Sequence, residues 1–330
     1  MLLRYRQIQH HIEFEKPVSF PTLPTFLFRS ILGKELRRLV CIFRGRPCGE
    51  CGLKFTCAYS WMFETPIEKE SPVLEGRDRA SHPFLLATDA LVRKEVQEIT
   101  LTITVMGKAI EYYPYLFYAL KRAGEIGILR ERIPFEIKNI LCEGKSILQK
   151  ADSIHPSWGI KQWTLRPEQK GPLDVSIQNI QSITSKPTEA TVFVQIDSPL
   201  RLRVDGKYTS QFTSEQFLAS LYRRAMVLCS LYGSQCSESS SGNGLVQVQT
   251  PPVLSENLRI VSRNLRWEDQ TYYSSRQRKA LALGGVMGDF ILKGNLKLIE
   301  QSLLTFGELF HVGKNTAFGL GRYHAEYKYV

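Results

Sequence analysis

The chain has 330 residues, 43% hydrophobic and 11% aromatic, with 43 Lys and Arg against 32 Asp and Glu, a formal net charge of +11. That is enough apolar content for a real core and enough length for two domains of about 150 to 170 residues each. It excludes a disordered basic tail, and no apolar run approaches the roughly 18 residues that a membrane helix needs. The opening Met1-Leu2-Leu3-Arg4-Tyr5-Arg6 breaks into charge without the apolar core of a signal peptide. Seven cysteines is an odd number. Together these features predict a cytoplasmic protein whose clustered cysteines serve metal binding or redox chemistry, not a disulfide framework.

The elements are predicted in chain order. Residues 2–14 alternate and read as a strand. Phe26–Val40 has helical spacing, with Phe28, Ile31, Leu32, Leu36 and Leu39 on one face and Arg29, Lys34, Arg37 and Arg38 largely off it. A cysteine-rich segment follows, then a polar loop over 62–82. Pro83–Thr88 and Val96–Val105 read as strands, Ala109–Ala123 as a helix ended by Gly124, and Phe135–Leu141 as a strand. In the second half, Asp174–Ile183, Ala190–Ile196 and Leu200–Val204 are strand-like. Thr213-Ser214-Glu215-Gln216 is a capping-box pattern opening a helix to about Tyr232. Ser234–Gly244 is a Ser/Gly loop. Leu258–Arg266 and Leu281–Leu292 are strands, Leu296–Phe310 is a helix, and Gly321–Tyr329 is a last strand. The economical fold is α+β: tandem ferredoxin-like (RRM-like, βαββαβ) domains over 1–150 and 151–330, with the boundary near 144–158 and an N-terminal cysteine-rich insertion at 41–60.

Charge is distributed unevenly. Residues 1–60 carry 10 Lys and Arg against 4 acids, residues 257–330 carry 11 against 6, and the stretch between carries 22 of each. If both ends fold onto one face they make a surface for a polyanion; two separate solvated faces are the plainer alternative. The glycine-rich loop His311–Tyr323 lies between a helix and a strand. Its glycines permit positive φ and let backbone N–H groups turn toward an anion, while Lys314, Asn315, Thr316 and Arg322 add donors. It is neither a Walker loop, since no Lys-Ser/Thr follows its last glycine, nor a dinucleotide fingerprint, since it follows a helix instead of opening one.

Four stretches then carry a resemblance: the cysteine segment running into Tyr59 and Phe63-Glu64, HPFLLATD at 82–89, GKAIEYYPYLFYALKRAGEIG at 107–127, and LRWEDQTYYSSRQ at 265–277 combined with LFHVGKNTAFGLGRY at 309–323. In this order they resemble the CRISPR-associated precursor-crRNA processing endoribonucleases of the repeat-associated mysterious protein superfamily. The resemblance implies binding of CRISPR repeat RNA and precursor crRNA, with other Cas effector subunits as further partners and no membrane. It also implies metal-independent cleavage by ribose 2′-OH attack, giving a 2′,3′-cyclic phosphate and a 5′-OH, with no cofactor for catalysis.

That chemistry needs a base near the 2′-OH, an acid near the leaving oxygen and donors for the charge on phosphorus. Many relatives place a histidine on or after the first helix; here that helix has none. The candidates are His311, which abuts the glycine loop, then His10 and His11, which alternation sends to opposite faces of the first strand, and Lys34. Candidate RNA contacts are Arg29, Arg37, Arg38, Arg266, Tyr273, Arg276, Arg278, Gly313, Lys314, Asn315, Gly319, Gly321 and Arg322. Cys41, Cys48, Cys51 and Cys57 are spaced C-x6-C-x2-C-x5-C. They suit a structural zinc site, part of an iron–sulfur site, or reduced thiols without metal. A non-catalytic crRNA-binding subunit of an effector complex is the alternative to a nuclease, and a general RNA-binding protein of doubled fold is the third reading.

Overall fold

A computed structural model of the chain describes residues 3–67, 74, 79–149, 153–154, 161–163, 188–233, 257–274 and 279–329. The expected strand at 174–183 and the Ser/Gly loop at 234–244 lie outside them, as do Arg276 and Arg278. The chain is mixed α+β and builds two sheet-based domains.

The first domain runs β1 (Leu3–Ser19), α1 (Pro24–Val40), β2 (Phe84–Thr88), β3 (Glu95–Met106), α2 (Ala109–Ile126) and β4 (Phe135–Cys142). A short β5 (Lys145–Ser146) follows, then a small β6–β7 pair (Leu148–Gln149 with Ser153–Ile154), and β8 (Lys161–Trp163) returns to β1. The sheet order is β2-β3-β1-β4-β5, with neighbouring strands antiparallel. Alternation in β1 sends Ile8, His10 and Ile12 inward, where they meet Phe28, Leu32 and Leu36 of α1 and Tyr113, Leu116 and Leu120 of α2. α1 opens with Pro24 in its first turn and ends with Arg37 and Arg38, which favour the negative end of the helix dipole. Glu35, buried between the helices, accepts ion pairs from Arg38 at 2.8 Å and from Arg122 of α2 at 3.1 Å.

The second domain runs β9 (Thr188–Leu200), a β10–β11 hairpin (Arg203–Val204, Lys207–Tyr208), α3 (Ser214–Tyr232), β12 (Arg259–Glu268), a β13–β14 hairpin (Thr271–Ser274, Lys279–Ala282), β15 (Gly285–Leu296), α4 (Leu298–Phe310) and β16 (Tyr323–Tyr329). Its sheet order is β12-β15-β9-β16. Setting the hairpins aside, this is the strand order of the first domain, 2-3-1-4 counted within each. The Thr213 hydroxyl accepts from the Gln216 amide at 3.2 Å and Gln216 answers at the Thr213 amide, so the expected capping box is formed.

Several boundaries differ from the sequence reading: the strand expected over Leu200–Val204 is divided between the end of β9 and the short β10. α2 runs through Gly124 to Ile126: Gly124 is a packing position against Phe135, and the stop is Gly127 at φ +83°. The expected strand 281–292 is two strands, broken at Leu283 and Gly284. The loop at 62–82 opens with a π-helical turn, Ser60–Glu64, that buries Met62 and Phe63.

The domains share apolar contact. Leu3, Tyr5, Leu85 and Met106 join the core of the second domain, with the Tyr5 and Phe310 rings 5.1 Å apart. A small third core gathers Phe26 of α1, Leu283 and Leu320, with Tyr272 and Phe318 packed against it. It ties the β13–β14 hairpin and the glycine-rich loop to the start of α1.

Candidate nucleic-acid interface

The glycine-rich loop is moulded by its neighbours. Gly319 has φ +83°, and a Cβ there would lie 2.7 Å from the Thr25 hydroxyl and 2.8 Å from the Leu86 carbonyl. A side chain at Gly321 (φ +73°) would overlap the Val312 carbonyl. Hydrogen bonds hold the loop in place. The Thr25 hydroxyl donates to the Phe318 carbonyl and the Ser198 hydroxyl to the Gly319 carbonyl, both at 2.7 Å. Arg322 donates to the Thr88 carbonyl at 3.1 Å and pairs with Asp197 at 3.4 Å.

Two cavities flank this loop. One, of about 820 Å³, has the polar face of α1 as its wall: Arg29, Ser30, Gly33, Lys34, Arg37 and Arg38, with Arg44, Arg79 and Tyr272 around it. Residues 29, 33 and 37, like 30, 34 and 38, recur every four positions, so one helix face presents them all. The other, of about 570 Å³, is lined by Arg201, Arg203, Arg223 and Arg224 of the second domain and by Lys314 and Asn315 of the loop. Ala80, His82 and Phe318 line both. The cavities therefore make one cationic groove across the domain junction, suited to a chain of phosphates.

Arg29, Lys34, Arg37, Arg38, Gly313, Lys314 and Asn315 all line this groove. Gly319 and Gly321 shape the loop from beneath. Arg322 is spent on the domain junction. Arg266 lies on the exposed face of β12, ion-paired with Glu268 at 2.8 Å, away from both cavities. The Tyr273 backbone pairs with Ala280 in the hairpin.

The three proposed histidines are placed elsewhere. His311 takes φ +58° at the C-cap of α4, which turns its ring under the loop: it is 4% exposed, with Nδ1 3.2 Å from the Leu320 carbonyl. Burial and the Arg224 and Arg322 charges push its pKa down to about 3. His10 is fully buried between the Leu101 carbonyl (3.0 Å) and the Tyr113 hydroxyl (2.8 Å), with its pKa lowered to about 4 chiefly by burial. It presents no surface to RNA. His11 takes the opposite sheet face, as alternation requires, and lines neither cavity. Among the histidines of the described residues, His82 does line the groove; its Nε2 accepts from Arg29 Nη2 at 2.9 Å. Sequence reasoning gave it no role, because a lone histidine before a strand carries no pattern.

The four cysteines are half-buried free thiols. Cys48 and Cys57 pack against the first core, and Cys41 is hydrogen-bonded to the Arg37 side chain. Burial, with Glu64, Cys41 and Cys57 nearby, raises the Cys48 pKa against the opposing pull of Arg37. Among the described residues no group of three or more His, Cys, Asp or Glu side chains is gathered so as to hold a metal ion. As placed, the thiols are not a tetrahedral ligand set.

Residues 194–323, which span the second sheet, α3, α4 and the glycine-rich loop, match the family model described as CRISPR-associated endoribonuclease Cas6. Residues 3–158 match a family described as an N-terminal domain. The C-terminal domain is thus similar to the Cas6 family of CRISPR-associated endoribonucleases. A protein of Archaeoglobus fulgidus is 24% identical over 315 residues, covering 91% of each chain. Among solved structures, a Thermus thermophilus Cas6 product complex has a TM-score of 0.51 at 15% identity, covering 98% of this chain and 99% of the other. A partial Cas6-RT-Cas1–Cas2 complex has a TM-score of 0.51 at 13% identity, covering 99% of this chain and 46% of its own. Both are similar in fold.

Proposed function

We propose that the chain is a repeat-specific endoribonuclease that binds CRISPR repeat RNA in the cationic groove and cuts precursor crRNA. Each domain, 1–150 and 151–330, is read as a ferredoxin-like βαββαβ unit, with β8 as a strap returning to the first. The observation that carries the reading is the meeting of the α1 cationic face with the glycine-rich loop at Phe318 and His82. The ribose 2′-oxygen attacks the adjacent phosphorus, the P–O5′ bond breaks, and the proton lost from the 2′-OH is balanced by one gained at the leaving 5′-oxygen. Of the four proposed catalytic residues, Lys34 is the one that lines the groove. Its ammonium group is suited to stabilise the extra charge on phosphorus and to protonate the leaving oxygen. Arg37, about one helical turn on, and Arg29, five residues back, are read as phosphate contacts.

Repeat RNA incubated with the protein in chelator tests this. A single cut with a 2′,3′-cyclic phosphate on the upstream fragment is expected, and Lys34→Ala is expected to slow it about 10²-fold or more while binding is largely kept. The second reading, a crRNA-binding subunit that does not cut, is favoured by the absence of His10, His11 and His311 from the groove. Tight binding of uncut repeat RNA would establish it.

A further inference from the structure

Arg29 is a half-buried cation of the α1 face that lies among aromatic rings. Its guanidinium carbon lies 4.2 Å from the centre of the Phe318 ring, 5.3 Å from Phe63 and 5.8 Å from Phe84. These rings come from the glycine-rich loop, the π-helical turn and β2. They confine the guanidinium but do not set its rotation, since stacking is tolerant of the direction in which the N–H groups point. The bond from Arg29 Nη2 to His82 Nε2 at 2.9 Å does set it. That bond needs an unprotonated Nε2, because an imidazolium has only donors. His82 stands two residues before β2, whose first residue Phe84 is paired with Val105, so the acceptor is carried by the sheet and not by a free loop.

We propose that His82 is a positioning residue: as a neutral hydrogen-bond acceptor it aims the Arg29 guanidinium at the RNA phosphate held where the two cavities meet. The substrate in this statement rests on the nuclease reading above; the pairing of His82 with Arg29 does not. The charges around the ring agree with the role. Burial comes first, then Arg29 on α1, with Arg79 before β2 and Arg224 on α3, and together they push the His82 pKa down to about 3 against a backbone hydrogen bond at Met62. The ring stays neutral across the working pH range and can accept throughout.

Cleavage by variants and nitrogen NMR test it. His82→Leu removes the acceptor, and His82→Gln places an amide oxygen near the lost Nε2. In single-turnover cleavage, His82→Leu is expected to lose about 10²-fold in rate, the scale of an ångström-level misplacement. His82→Gln is expected to recover most of that loss at unchanged melting temperature. Added to Arg29→Ala, His82→Leu is expected to cost nothing further, since its action runs through Arg29. Additive losses, or a Gln variant no better than Leu, would overturn the proposal. Nitrogen NMR of the wild-type imidazole, which needs neither activity nor a variant that folds, is expected to show a bare Nε2 from pH 8 to pH 5. Arg29→Ala is expected to move the His82 titration midpoint upward. A ring protonated at pH 7, or a midpoint unmoved in Arg29→Ala, would overturn the pairing. Failure of the wild-type protein to cut repeat RNA would overturn the nuclease reading separately, with the NMR result still deciding the pair.

Discussion

Three histidines with depressed pKa values make acid stability a property of single residues. His10, His82 and His311 have pKa values lowered to about 4, 3 and 3, while an unfolded histidine titrates near 6.5. Between about pH 6.5 and those values the unfolded chain binds more protons than the folded one. Stability is therefore fully present above pH 6.5 and drains away as pH falls. We expect the urea midpoint to drop steadily from pH 6.5 to pH 4.5. Replacing His10 by Gln, which titrates in neither state, should flatten that slope by up to one proton's worth; an unchanged slope would mean that His10 is solvated in the native protein. These histidines also mark where the sequence is silent. Spacing on α1 was enough to set Arg29, Lys34, Arg37 and Arg38 on one polar face. Nothing in the sequence tells that His311 turns inward at a positive φ or that His82, more than 50 residues from Arg29, ends beside it.

At the scale of elements, the glycine-rich loop works as a docked part and not as a free strap. A Cβ at Gly319 meets the Thr25 hydroxyl and the Leu86 carbonyl, and one of these is backbone that cannot step aside. Gly319→Ala is expected to destabilise the protein by more than about 1 kcal/mol through φ strain alone, and to weaken RNA binding because Phe318 and Lys314 shift with the loop. Gly49→Ala, with open space around its Cβ, is the control. Equal melting temperatures for the two would show that the loop is not seated as described. The cysteine segment makes the opposite kind of statement. Its spacing suits a metal, yet the thiols are not gathered into a ligand set. Metal analysis of protein purified without additions decides between the readings: about one zinc per chain would mean that the four thiols gather around the ion, and no stoichiometric metal would leave them as reduced thiols. Among the described residues, the long strands and helices, the capping box at Thr213 and the boundaries of α1 were legible, because periodicity and caps are local. The break between β14 and β15 was not: a Cβ at Gly284 would meet the Glu268 carbonyl and one at Gly285 the Leu200 carbonyl, contacts that only the folded chain brings together.

For the whole molecule, the positive charge at the two chain ends is not simply joined into one surface. The N-terminal end supplies the α1 face, but the partner face comes from Arg201, Arg203, Arg223 and Arg224 in the electrically balanced middle, with Lys314 as the contribution of the C-terminal end. Net charge by segment thus missed the cations that form the second wall of the groove. Affinity for repeat RNA should fall with salt, and Arg203→Ala with Arg223→Ala should make the log–log slope shallower by about 1.4, two contacts at roughly 0.7 each for a single strand. An unaltered slope would place the RNA elsewhere. The central claim is that this groove brings a ribose 2′-OH onto its own phosphate. The most direct measurement is single-turnover cleavage, in chelator, of two repeat RNAs that differ only by a 2′-deoxy substitution at the nucleotide preceding the cut. The ribose substrate should be cut once and the deoxy substrate should bind equally and stay whole; cleavage of the deoxy substrate at the same bond would contradict the account.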